Sequence, residues 1–183
     1  MLHFRQALLF ALFAVACIGG HSAMATSAAQ PDYQKLGEYR YVYRMFFKLY
    51  DAELFTTKAA SAKDVLNANA PFRLQFRYLR TIEKSIILQS ADRMLERNLS
   101  EQDRAMIAQR VDRLNQAYTT VRDGDRSALS FQPGVGTTLS INGEPIVTIE
   151  GEDFARLYFQ IWLGEQPISD RMKERLLGLD QAS

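Results

Sequence analysis

The chain has 183 residues with 22 basic against 21 acidic, a formal net charge of +1 that leaves no basic footprint for bulk nucleic-acid binding. Its 47% hydrophobic content suits a globular protein with a core, and its single cysteine excludes a disulfide framework.

The first 25 residues read as a secretory signal peptide. Arg5 supplies the positive start, and Ala7 to Ile18 form an apolar run too short to span a bilayer. Ala23-Met24-Ala25 then offers the small-x-small pattern of a cleavage site. A second processing route is lipidation at Cys17, ranked below simple cleavage because Ala14 stands where a lipobox usually has leucine. Cleavage after Ala25 removes Cys17, His3 and His21 together, leaving a mature chain without thiol or imidazole. That excludes Cys-His and Ser-His nucleophile pairs and zinc sites built on Cys or His. The expected location is a bacterial periplasm, which tolerates proteins without disulfides. Arg5 is the only charge lost, so the mature chain is formally neutral. About 158 residues remain, enough for one domain with no further membrane span.

Residues 26–35 are a small-residue, polar leader, expected to be flexible, and the domain is expected over 36–180. Tyr39 to Tyr50 alternates as one long strand. Tyr39, Tyr41, Tyr43, Met45, Phe47 and Leu49 share one face, read as core; Arg40, Val42, Arg44, Phe46, Lys48 and Tyr50 share the other. A short strand follows at Ala52 to Thr56. Residues 56–70 are the least patterned stretch and read as a surface connection. Phe72 to Tyr78 alternates again, with Arg73, Gln75 and Arg77 on its polar side. A helix is expected over about Glu83 to Asn98, with Ile82, Ile86, Ile87, Met94 and Leu95 as its stripe. Ser100 and Asp103 resemble a capping box for a second helix with Ile107, Val111, Leu114, Tyr118 and Val121 inward.

Residues 124–164 read as continuous architecture. Leu129 and Phe131 alternate on one strand, Leu139 and Ile141 on the next, and Asn142-Gly143 supplies the tight turn into a return strand, Ile146 to Ile149. Gly151 ends that strand, and Phe154, Leu157, Tyr158 and Ile161 recur at helical spacing. Trp162 reads as a core anchor, and Glu152 and Asp153 as acids favourable to a helix N-terminus. Ser169 starts a last helix through Leu177. Strands, helices, strands, helices: the class is α+β, with a largely antiparallel sheet and helices on one face. Neither a cofactor nor a metal is expected, since the glycines of PGVGT and DGD precede strands rather than phosphate-binding helices.

The order GEYRYVYRMFFKLYDAELF, RYLRTIEKS, GDRSALSFQPGVGTTLSINGEPI, EDFARLYFQIWLG and a terminal RLLG resembles the chalcone isomerase-like proteins of bacteria, from about Leu36 to Gly178. The resemblance implies an open-faced β-sandwich, a large antiparallel sheet with helices packed on one side and a ligand cleft between them. It implies two functional branches: plant enzymes that cyclise chalcones to flavanones, and plastid relatives that bind fatty acids. The catalytic branch uses an arginine and a threonine on the first long strand, and a tyrosine and an asparagine on the following helix. Arg40 matches the arginine best, with Arg44 as the other register. The threonine position falls near Met45, and the helix EKSIILQSADRMLERN has no tyrosine and only a terminal Asn98. At most one of four catalytic side chains carries over.

The leading expectation is therefore an exported, non-catalytic binder of a small amphipathic acid, with a fatty acid first. Its candidate site residues are Arg40, Arg44, Phe46 and Tyr50: an arginine for the carboxylate and aromatic rings for the tail. One alternative is a lyase or isomerase acting on an enone, with Arg40 as its only catalytic residue. Another is an envelope protein-interaction module. A solvated outer sheet face is the competing account of Arg40, Arg44, Lys48, Arg73 and Arg77. The ligand, the oligomeric state and the lipidation state stay open.

Overall fold

The structure, a computed structural model, describes residues 31–179. The expected signal peptide, Cys17 and residues 26–30 of the leader lie outside the described residues, and Tyr33 to Lys35, expected in the flexible leader, open the first strand. The elements run β1 (Tyr33–Tyr43), β2 (Phe47–Thr57), α1 (Ala62–Leu66), β3 (Phe72–Tyr78), α2 (Lys84–Asn98), α3 (Glu101–Ala117), β4 (Arg126–Gln132), β5 (Gly136–Ile141), β6 (Glu144–Ile149), α4 (Glu152–Tyr158), α5 (Gln160–Leu163) and α6 (Asp170–Leu176). All six strands pair antiparallel with their sequence neighbours, in the order β1-β2-β3-β4-β5-β6. The helices cover one face of this sheet, and the expected open-faced architecture is what the chain adopts.

Period-2 alternation explains the layer. Leu54, Leu74, Leu129 and Leu139 lie in one row across four strands and are at most 1% exposed. The other face has Glu53, Gln75, Ala128 and Ser140 in the matching positions, so it tolerates water. Aromatic rings close the inner layer: Phe72 meets Phe159 edge-on at 4.6 Å between centroids, and Phe76 meets Trp162 at 5.4 Å. Such pairs add about 0.5–1.5 kcal/mol each beyond their burial. Trp162 is buried, as the sequence suggested.

Several boundaries follow capping chemistry. The Ser100 hydroxyl accepts from Asp103 N at the start of α3, and Ser169 accepts from Met172 N at the start of α6. Asn142 and Gly143, at φ 51° and 91°, make the β5–β6 turn. In the stretch read as a loop, Ser61 and Asp64 form a complete capping box and start α1, whose Val65 is 2% exposed. The S-x-x-D spacing was the available clue. In α2, Ile86 points outward at 55% exposure, and the helix buries Leu95 while Ile87, Ala91 and Met94 pack partly against the core.

The largest difference from expectation is at the start. Tyr39 to Tyr50 is a hairpin, not one strand. Arg44 and Met45 take φ 47° and 64°, and the chain reverses between Tyr43 and Phe47, which pair with each other. A register shift at Tyr41/Val42 then changes which residues share a face. Tyr50 sits inside opposite Tyr41, whereas Arg40 sits outside opposite Asp51. Met45 and Phe47, expected in the core, are 85% and 46% exposed. YRMFFK has no Gly, Pro, Asn or Asp, so alternation alone could not separate one strand from two.

Candidate functional site

The structure does not gather the four expected site residues. On the polar outer face the Arg40 guanidinium forks onto Asp51, Nε to Oδ1 at 2.6 Å and Nη2 to Oδ2 at 2.9 Å. Those hydrogen bonds, helped by the charges of Arg40, Arg77 and Lys48, hold the Asp51 carboxyl below the usual carboxylate range. A ligand carboxylate at Arg40 would have to displace Asp51. Tyr50 lies on the inner face, stacked on Tyr41 at 5.2 Å and edge-on to Phe76 at 5.2 Å. Desolvation pushes its hydroxyl well above its ordinary range, so it stays a neutral phenol. Arg44 and Phe46 stand on the hairpin turn, in water. The outer face carries Lys35 bonded to Glu38 and Glu53, beside the Arg40–Asp51 pair. Arg73 lies 4.4 Å from the Tyr33 ring centroid and 5.7 Å from that of Phe55. That is the composition of a solvated sheet face.

The inner face offers phenols and hydrocarbon. Tyr78 shares a 2.9 Å hydrogen bond with Ser127, and desolvation by burial pushes the Tyr118 and Tyr158 hydroxyls above their ordinary range. Among the described residues, no three His, Cys, Asp or Glu side chains converge to hold a metal ion.

A concavity lies elsewhere, at the helical end. A groove of about 620 Å³ is lined by α1 and the residue after it (Val65, Leu66, Asn67), the end of α2 (Arg97, Asn98), α4–α5 and Lys173 of α6. Ala155, Phe159 and Leu163, each at most 4% exposed, form its apolar floor. Arg97, Arg156 and Lys173 stand at its edge with one acid, Glu165. Lys173 Nζ is engaged, donating to Gly164 O at 2.7 Å. Arg97 and Arg156 are exposed, and neither has an ion-pair partner among the described residues.

One asparagine shapes this groove. Asn98 Nδ2 donates to Met94 O at 2.9 Å and to Gln166 O at 2.8 Å, and its Oδ1 accepts from Gln166 N at 2.9 Å. These bonds fasten the 164–166 loop to the end of α2. Gly164 permits the approach, because a Cβ there would stand 2.5 Å from Asn98 Oδ1 and 2.6 Å from Gln160 O. Sequence reading noted Asn98 only as a helix terminus. It missed the groove because its walls come from four separated segments.

It also missed Arg110. This α3 side chain donates to Asp153 at the start of α4, Nη1 to Oδ1 at 2.9 Å and Nη2 to Oδ2 at 2.5 Å, and to Glu150 O at 3.2 Å. The hydrogen bonds from Arg110 hold Asp153 below the usual carboxylate range. The pair clips α3 to the β6–α4 junction.

An antiparallel sheet open on one face and covered by helices on the other, with an arginine-edged groove at its helical end, is the architecture of an open-faced β-sandwich. The chain belongs to the chalcone isomerase-like family, whose model matches residues 34–178. Among solved structures, a fatty-acid binding protein of Arabidopsis thaliana matches with a TM-score of 0.59 at 12% identity, covering 79% of this chain and 86% of that one. At that identity the likeness concerns the fold alone. No curated protein sequence matches the chain.

Proposed function

We propose that this protein is an exported, non-catalytic binder of a small amphipathic carboxylic acid, a fatty acid first, held in the groove beside α2 and α5. The observation that carries this reading is the pairing of an apolar floor with two arginines that have no ion-pair partner among the described residues. A guanidinium forks onto a carboxylate, and the hydrocarbon tail takes the floor; the volume lies within the 300–1,000 Å³ or so usual for ligand pockets. A solved structure of the same fold is that of a fatty-acid binding protein, which agrees with this reading. Export rests on the signal-peptide pattern, and a periplasmic form beginning at Thr26 on N-terminal sequencing is its test.

Native mass spectrometry of the purified protein, with solvent extraction of the contents, tests the ligand. The expected result is a bound acid, and affinity for a long-chain fatty acid about tenfold or more weaker in Arg97→Glu/Arg156→Glu. An empty protein with no thermal shift in any fatty acid overturns the reading. Loss of binding in Arg40→Ala with full binding in the groove variant would return the site to the first strand. Loss of chalcone absorbance above the spontaneous rate, abolished by Arg40→Ala, would favour the enone lyase instead.

A further inference from the structure

We infer that the tip of the β1–β2 hairpin is a docking wedge for an anionic phospholipid bilayer surface. The hairpin overhangs its sheet. Pairing between β2 and β3 ends at Tyr50 and Tyr78, with Leu79 N donating to Leu49 O at 2.9 Å. The β1–β2 ladder continues past that point through Val42↔Lys48 and Tyr43↔Phe47. About three residues of overhang reach roughly 10 Å beyond the neighbouring strand.

This overhang is apolar where apolar residues gain nothing from the fold. Met45 and Phe46 are 85% and 82% exposed, and Tyr43 and Phe47 each 46%. The other exposed large apolar residues described, such as Met106 and Val135, occur singly along the chain. The turn is built for display. Arg44 and Met45 hold positive φ, where glycine or asparagine would be cheaper and would present less side chain.

The charge around the wedge has one sign. From Tyr39 to Tyr50 there is no Asp or Glu, whereas Arg44 and Lys48 flank the turn. The Arg80 guanidinium adds a third cation, 5.1 Å from the Phe47 ring centroid, and that of Arg44 lies 5.3 Å from the Tyr43 ring. The nearby acids Glu38 and Asp51 are already bonded to Lys35 and Arg40. Hydrocarbon at the tip with cations behind it matches acyl chains beneath anionic headgroups, and the overhang matches the roughly 5–10 Å depth to which interfacial segments sink. A narrow convex turn offers a protein partner little of the ~1,200 Å² or more that stable interfaces bury.

The inference does not depend on the ligand of the groove. Its test is co-sedimentation of the purified protein with vesicles of phosphatidylglycerol mixed with phosphatidylethanolamine, against vesicles of pure phosphatidylcholine. Binding to the anionic vesicles is expected, weakening as salt rises. Met45→Ser/Phe46→Ser should lower that binding about tenfold or more. Arg44→Glu/Lys48→Glu should abolish the preference for anionic vesicles. Both variants should unfold at the parent temperature. No pelleting with anionic vesicles, which a tip that docks protein instead would give, overturns the inference. Undiminished pelleting of the serine variant, or loss seen instead in Arg97→Glu/Arg156→Glu, overturns it equally.

Discussion

Two stretches of this chain show the same alternation of apolar and polar residues and have opposite fates. In β4–β6, alternation marks burial: Phe131, Leu139 and Ile149 are at 0% exposure. In the β1–β2 hairpin it continues past the last neighbouring strand, and Met45, on the face read as core, ends at 85% exposure. The difference is cover. β4 and β5 have a strand on each side and helices above, whereas the hairpin tip extends beyond β3. Alternation shows that a chain is extended and two-faced; what lies over a face decides whether it is core.

The contrast is broken most directly with two phenylalanines. Phe131→Ala should cost about 3–5 kcal/mol in denaturant unfolding, whereas Phe46→Ala should stay within about 0.5 kcal/mol. Comparable losses would mean that the tip packs against something in the folded protein. Where the hairpin is anchored, the expected effect is again large. A Cβ at Gly37 would stand 2.0 Å from Arg175 O, so Gly37→Ala must push α6 off β1 and lower stability by about 1–3 kcal/mol.

The Arg110–Asp153 clip gives a smaller effect with a pH signature. Arg110→Ala should cost about 1 kcal/mol at neutral pH, since both side chains are partly exposed. Asp153 titrates lower in the folded protein than its ordinary value of 3.8, so the unfolded chain takes up the proton first. The stabilisation is complete above that value and fades as pH falls through it toward the folded one. Urea midpoints of parent and variant should therefore converge in acid; a constant gap would show that Arg110 acts through packing alone. The smallest effect is at the turn. Arg44→Gly relieves a left-handed residue and should raise stability by about 0.5 kcal/mol in thermal unfolding, while Ala at the same position should not.

The candidate site was far less legible than the fold. Ser100, Ser169 and Asn142-Gly143 act through hydrogen bonds or dihedrals within a few residues, so short spacing revealed them. Arg40 stayed open between a solvated sheet face and a ligand-facing arginine because its partner, Asp51, lies across a turn that carries no turn residue. Arg97 and Arg156 were silent for a related reason. Each is an ordinary exposed helical arginine until the chain brings residues 65–67, 97–98, 155–166 and 173 to one groove.

By itself the sequence determined an α+β chain with an antiparallel sheet, the Ser100 and Ser169 helix starts, the Asn142-Gly143 turn and its resemblance to the chalcone isomerase-like family, because period, caps and turn chemistry are local. Only the tertiary structure decided which face of the first hairpin is inside, which arginines enter ion pairs among the described residues and where a groove opens. Those depend on contacts between distant segments, and no local pattern encodes what will lie opposite a side chain once the chain has folded.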